Sequence, residues 1–87
     1  MLIAKVVGNV VATKKNDTLT GYKLMVIQPM RADLTEDGCQ KVAADYVGAG
    51  IGEYVLVGSG SSVRVEEQRK SSLIDMAIIG IIDEIVV

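Results

Sequence analysis

An all-β fold, a small closed barrel of five strands with one short helical segment, is what this 87-residue sequence predicts. Three observations carry that expectation. The apolar residues, 49% of the chain, are aliphatic and rich in Val and Ile, with no Phe or Trp and only three Tyr. β-Branched side chains fit the pleated strand better than the helix. Five apolar runs are separated by glycine-rich or polar turns. Runs such as Leu24-Met25-Val26-Ile27 are apolar at every position, so both faces of the strand need cover. Closing the sheet into a barrel supplies one cover and removes the edges that a lone small sheet would expose.

The elements follow in order. Leu2 to Thr13 reads as the first strand, with Gly8 at a bulge or bend. Lys14 to Gly21 is a polar turn, and Tyr22 to Gln28 forms the second strand, making a hairpin with a long loop. Pro29, which has no N–H to donate, is expected to close that strand. Met30 to Gln40 is a loop turning at Glu36-Asp37-Gly38, and Lys41 to Val47 is the third strand. Next comes Gly48-Ala49-Gly50-Ile51-Gly52, three glycines in five residues. Glycine at such density serves positive φ or the close approach of another backbone. Tyr54 to Val57 is the fourth strand, ended by Gly58-Ser59-Gly60. Ser61 or Ser62 is expected to cap a helical segment through Val63-Arg64-Val65-Glu66-Glu67. Gln68 to Ser72 is polar, and Met76 to Val86 makes the last strand, bent at Gly80.

Residues 1–87 are read as one domain. A domain of this size buries only about 60–65% of the surface its unfolded chain exposes. Its aliphatic content exceeds what so thin a core hides, which points to a subunit interface. The formal net charge is −2 and the nine basic residues are scattered, unlike the basic stripe that tracks a phosphate backbone. The single Cys39 suits a reducing compartment. Met1 to Lys5 lacks the pattern of a secretory signal, and the apolar run Met76 to Ile82 is too short to span a bilayer and stops at Asp83-Glu84. The expectation is a soluble intracellular protein that needs no cofactor and engages neither membrane nor nucleic acid.

Enzymatic machinery is poorly supplied. The chain has no His, which removes Ser-His-Asp and Cys-His nucleophilic systems and the common zinc sites. Asp33, Glu36, Asp37, Glu66 and Glu67 sit in polar segments and read as solvated faces, and Cys39 has no base to activate it. Gly48-x-Gly50-x-Gly52 brings its third glycine one residue early for the dinucleotide fingerprint, and Gly58-x-Gly60 lacks the third glycine and the βαβ unit. Asn16-Asp17-Thr18 matches a glycosylation sequon only by chance. The competing function is a nucleic-acid-binding barrel, which would stack bases on Tyr22, Tyr46 and Tyr54.

Ordered motifs cover nearly the whole chain: Gly8-Asn9-Val10-Val11-Ala12-Thr13-x-Lys15, Leu19-x-Gly21-x-Lys23-Leu24, Gln28-Pro29, Ala44-Asp45-x-Val47-Gly48-Ala49-Gly50-x-Gly52-Glu53, Gly60-Ser61-Ser62-Val63-Arg64 and Asp75-x-Ala77-Ile78-Ile79-Gly80-Ile81-Ile82-Asp83. In these it resembles the EutN/CcmL family of bacterial microcompartment vertex proteins. Val63 departs from the small residue, usually Ala, expected before the Arg, and Val65 to Leu73 matches nothing distinctive. The resemblance implies an OB-like five-stranded barrel that assembles as a cyclic homopentamer. It also implies a structural role at the five-fold vertices of a cytoplasmic protein shell, among hexameric shell proteins. Gly48, Ala49, Gly50 and Gly52, with Ile78, Ile79 and Ile81 from the last strand, are expected at the subunit interface or pore. Lys14 and Lys15, together with the Met30 to Gly38 loop, are expected to dock on the hexameric tiles.

Overall fold

The structure, a computed structural model, describes residues 1–13, 15–66, 69–70 and 72–87. Five strands are present: β1 (Leu2–Val10), β2 (Leu24–Met30), β3 (Lys41–Asp45), β4 (Tyr54–Ser59) and β5 (Met76–Ile81). They close a barrel in the order β1-β2-β3-β5-β4, with β4 returning to β1. β3 and β5 run parallel and every other pair is antiparallel. The barrel and the β1–β2 hairpin are as the sequence predicts.

Strand ends are set by pairing partners. β5 stops at Ile81 rather than Val86 because β4 begins at Tyr54, whose carbonyl takes the last bond, from the Ile82 N–H at 2.9 Å. β3 stops at Asp45 because its carboxylate accepts from the Val47 and Gly48 N–H groups and turns the chain. β1 ends at Val10, three residues before Thr13, and β4 continues through Gly58 to Ser59. Pro29 does not close β2, which runs on to Met30. The Pro29 carbonyl accepts from Asp37, on the side away from β1. A strand residue points its N and O the same way, so the missing N–H falls where pairing with β3 has already ended at Ile27. Its loss costs no bond of the β2–β3 ladder.

Two bulges shape the barrel. Val6 pairs with Ile27 and Gly8 with Val26, leaving Val7 as an extra residue beside Gly8, where a bulge is expected. On β5, Leu56 pairs with Gly80 and Val57 with Ile78, leaving Ile79 extra. A 3₁₀ turn in the β4–β5 connection covers Gly60–Arg64, so Ser61 and Ser62 lie within it rather than capping it, and it ends before Val65 and Glu66 of the expected helical segment. Its cap position is Ser59, without a side-chain bond, and Ser62 Oγ donates back to the Ser59 carbonyl at 2.7 Å. Glu67 of the expected helical segment, and Gln68 and Ser71 of the polar stretch after it, lie outside the described residues. A second 3₁₀ turn covers Asp17–Leu19, capped by Asn16.

The interior is narrow. Ala4, Ala43 and Ala49 interleave with Val6, Met25, Ile27, Val55, Val57 and Ile78, the mixture of small and large residues that a small barrel accommodates. A second cluster lies outside the wall, where Val63 and Ile74 of the connection cover Ala44 and Ala77. One sheet therefore carries two cores, which is why Ala77 and Ile78, adjacent on β5, are both fully buried.

Candidate assembly surfaces

The glycine turn closes one end of the barrel. Gly52 donates to the Val6 carbonyl at 2.7 Å and Val6 donates to the Glu53 carbonyl at 2.9 Å, so the turn is bonded to β1 beside its bulge. Glu53 donates back to Gly50, and the Gly50 N–H donates to the Glu53 carboxylate. Gly48 and Gly52 have φ of 77° and 94°, the left-handed region in which a Cβ is strained. Their glycines answer an intrachain need. Gly50 has no positive φ, and a Cβ there would meet only the Glu53 carboxylate, at 3.2 Å. Gly48, Gly50 and Gly52 are exposed, whereas Ala49 is buried among the core side chains and faces its own barrel.

The strand expected at the interface divides in the same way. Ile78 is wholly buried against Val57 and its neighbours, so within this chain its side chain is a core group. Ile79 and Ile81 are each about two-fifths exposed. The bulge sets Ile79 over Gly58, its Cδ1 3.4 Å from where a Cβ would stand. Leu56 is similarly exposed beside bare Gly80, and it pairs across β1 with half-buried Ile3. Ile3, Leu56 and Ile79 thus make an apolar stripe over β1, β4 and β5, with two glycines keeping it shallow.

A groove of about 470 Å³ lies between the far end of the β1–β2 hairpin and the glycine turn. Val10, Val11 and Ile51 supply exposed apolar walls, and among the described residues Lys15 and Lys23 supply the charged side chains of its lining. Lys14 lies outside the described residues.

The loop after β2 is exposed from Arg31 to Gln40 yet internally bonded. Gln28, buried, donates to the Pro29 and Gly38 carbonyls at 3.0 Å each, and Arg31 donates to the Glu36 carbonyl at 2.6 Å. Asp33 Oδ1 accepts from the Thr35 N–H and hydroxyl at 3.0 and 2.6 Å. The hydroxyl bond is the larger cause of holding this carboxyl below its ordinary pKa. Leu34 stands at φ 65°, the one non-glycine residue with positive φ among the described residues, and is exposed. Backbone in this region costs about 1–3 kcal/mol and persists only where its surroundings enforce it. Cys39 is exposed on the same loop.

Sequence reasoning missed the lock on the β4–β5 connection. The Arg69 guanidinium lies 3.7 Å from the Tyr46 ring centroid and 5.6 Å from that of Tyr22. Its Nε donates to the Tyr22 hydroxyl at 3.0 Å and it pairs with Glu66 at 3.2 Å. Tyr46 donates to the Val63 carbonyl at 2.8 Å, and Arg64 donates to that of Ile74. Burial, the largest influence, lifts the Tyr46 phenol above its ordinary pKa, and the Arg69 charge offsets only part of it. Tyr22 and Tyr46 pack on each other at 5.5 Å, and Tyr54 lies under the Lys5 ammonium at 5.7 Å. All three rings expected to stack bases are engaged within the chain. The one advance signal for the lock was a pair of aromatics in an otherwise aliphatic sequence.

Residues 1–83 match the model of the family described as ethanolamine utilisation protein EutN/carboxysome. The chain is 45% identical to the bacterial microcompartment shell vertex protein GrpN of Rhodospirillum rubrum, over 98% of this chain and 96% of that protein. It is also 45% identical to the carboxysome shell vertex protein CcmL of Thermosynechococcus vestitus, over 98% of this chain and 86% of that one. The solved structure of the pentameric microcompartment shell protein GrpN from Rhodospirillum rubrum superposes with a TM-score of 0.90 at 44% identity, covering 100% of this chain and 99% of that one.

Proposed function

From a chain that belongs to the EutN/CcmL family, we propose a structural shell protein whose homopentamers cap the five-fold vertices of a bacterial microcompartment in the cytoplasm. The likeness to a pentameric shell protein over essentially the full length of both chains carries this reading. Sheets of hexagonal tiles cannot close by themselves, and five-fold units supply the curvature. A ring of five needs a heterologous contact, two different patches of one chain that fit each other. The Ile3–Leu56–Ile79 stripe is one such patch, and exposed Ile81 extends the apolar surface of β5. The turn at Gly48, Gly50 and Gly52 offers bare backbone for a second. Of the three, Gly50 is the position where glycine answers close approach rather than φ.

Docking on hexameric shell proteins is assigned to the loop at 31–38, where Leu34 is an apolar side chain on a bonded frame. The competing reading, a nucleic-acid module, loses its support because the tyrosines are already occupied.

Co-production of the hexagonal shell proteins with and without this chain tests the proposal. Electron microscopy should show closed polyhedra when it is present and open or elongated shells when it is absent. Closed polyhedra lacking the chain would overturn the vertex assignment.

A further inference from the structure

We propose that the groove beside the far end of β1 receives the segment Asp83–Val87 of a neighbouring copy, with Lys15 and Lys23 facing Asp83 and Glu84. This deepens the ring assembly proposed above and rests on it.

Four observations carry the inference. First, among the described residues β1 is left with an open edge. It pairs with β4 from Leu2 to Lys5, Val6 then bonds to Gly52 and Glu53, and from Gly8 to Val10 its described strand partner is β2. An edge of this kind is a template for another strand. Second, the groove along it has exposed Val11 and Ile51 as walls and, among the described residues, two lysines and no carboxylate in its lining. It asks for an extended segment that is apolar and acidic. Third, the chain itself holds such a segment. After the Ile82–Tyr54 bond it leaves the sheet as Asp83-Glu84-Ile85-Val86-Val87, and Asp83, Glu84 and Val86 are exposed. Strand residues advance about 3.4 Å each, so an acidic pair held at Lys15 and Lys23 sets Val86 beside Asn9.

Fourth, the segment does not occupy the groove of its own chain. It lies beside Leu34 and Tyr54, and no residue is common to its surroundings and the groove lining. Groove and segment are therefore two different complementary patches on one chain, the requirement for a ring that closes head to tail. Lys15 becomes a contact between subunits rather than with the tiles.

The test combines cross-linking with mass measurement. In a Cys39→Ser background, Asn9→Cys and Val86→Cys are introduced together and each alone, and the proteins are oxidised. The double variant should give a ladder reaching five linked chains on a denaturing gel, and either single variant no more than pairs. As a second arm, Lys15→Glu with Lys23→Glu should weaken ring association about tenfold at low salt. Adding Asp83→Lys and Glu84→Lys should restore it, since opposite charges then face each other again. A native ring of five with no ladder and no charge rescue overturns this placement and leaves the pentamer intact. A native mass of one chain at all concentrations overturns the ring itself.

Discussion

Gly58→Ala should change sign with the residue at position 63. Gly58 lies within β4 without positive φ, so Ala meets no backbone strain there. Replacing glycine at such a site stabilises by about 0.4–1 kcal/mol through the unfolded chain. Against this, the new Cβ would stand 2.9 Å from Val63 Cγ1, well inside the 3.5–4.0 Å of normal carbon contacts. Val63 is the buried residue of the 3₁₀ turn, and its branched Cγ1 cannot swing clear. Overpacking of this kind costs about 1–3 kcal/mol, so the net effect in the native sequence is a loss of about 1–2 kcal/mol. In a Val63→Ala background Cγ1 is gone and the unfolded-state gain remains, so the same substitution should stabilise by a few tenths to about 1 kcal/mol. The assay is urea unfolding of the four proteins at one fixed chain concentration, because assembly makes stability concentration-dependent. The interaction energy of the cycle should exceed about 1 kcal/mol. Additivity within about 0.5 kcal/mol would refute the reasoning.

Three further outcomes follow from particular contacts. Arg69→Ala should destabilise the barrel by about 1–2 kcal/mol, and Arg69→Lys should recover little, because a flat guanidinium over a partly buried ring is what the site holds; thermal melts check both. The raised Tyr46 pKa means that its contribution is fully present below about pH 10, the unfolded phenol value, and is lost as pH rises through the higher folded value. Alkaline unfolding should therefore be less steep in Tyr46→Phe. Gly52→Ala should cost about 1–2 kcal/mol from its φ of 94°, whereas Gly50→Val should hold the barrel yet lower the assembled mass; melts and light scattering on the same samples separate these effects.

What the sequence made legible was local. Five apolar runs and the turns between them prescribe the strands, and Gly8 marks its bulge because the bend is a property of one short segment. Strand ends were not legible, since they depend on where a distant partner stops, as Tyr54 does for β5. The division of Ile78 from Ile79 was hidden for a related reason. Both belong to one unbroken apolar run, and only the bulge opposite Leu56 and Val57 turns one inward and leaves the other outside. At the glycine turn, composition announced special backbone, but φ at Gly48 and Gly52, and its absence at Gly50, needed coordinates. The Arg69 lock joins residues 47 positions apart in sequence and leaves no periodic trace. Pro29 misled because its N–H is missing on a side that β3 no longer pairs.

The central claim is that exposed apolar surface on a thin-cored barrel exists to build a ring of five. Light scattering coupled to size exclusion measures this directly, on the native chain and on Leu56→Asp with Ile79→Asp. The native protein should run at five times the 9.3 kDa chain mass, and the double variant should keep its strand signal while falling toward a single chain. A native protein that stays at one chain mass over a wide concentration range would contradict the account. So would a double variant that assembles as the native protein does.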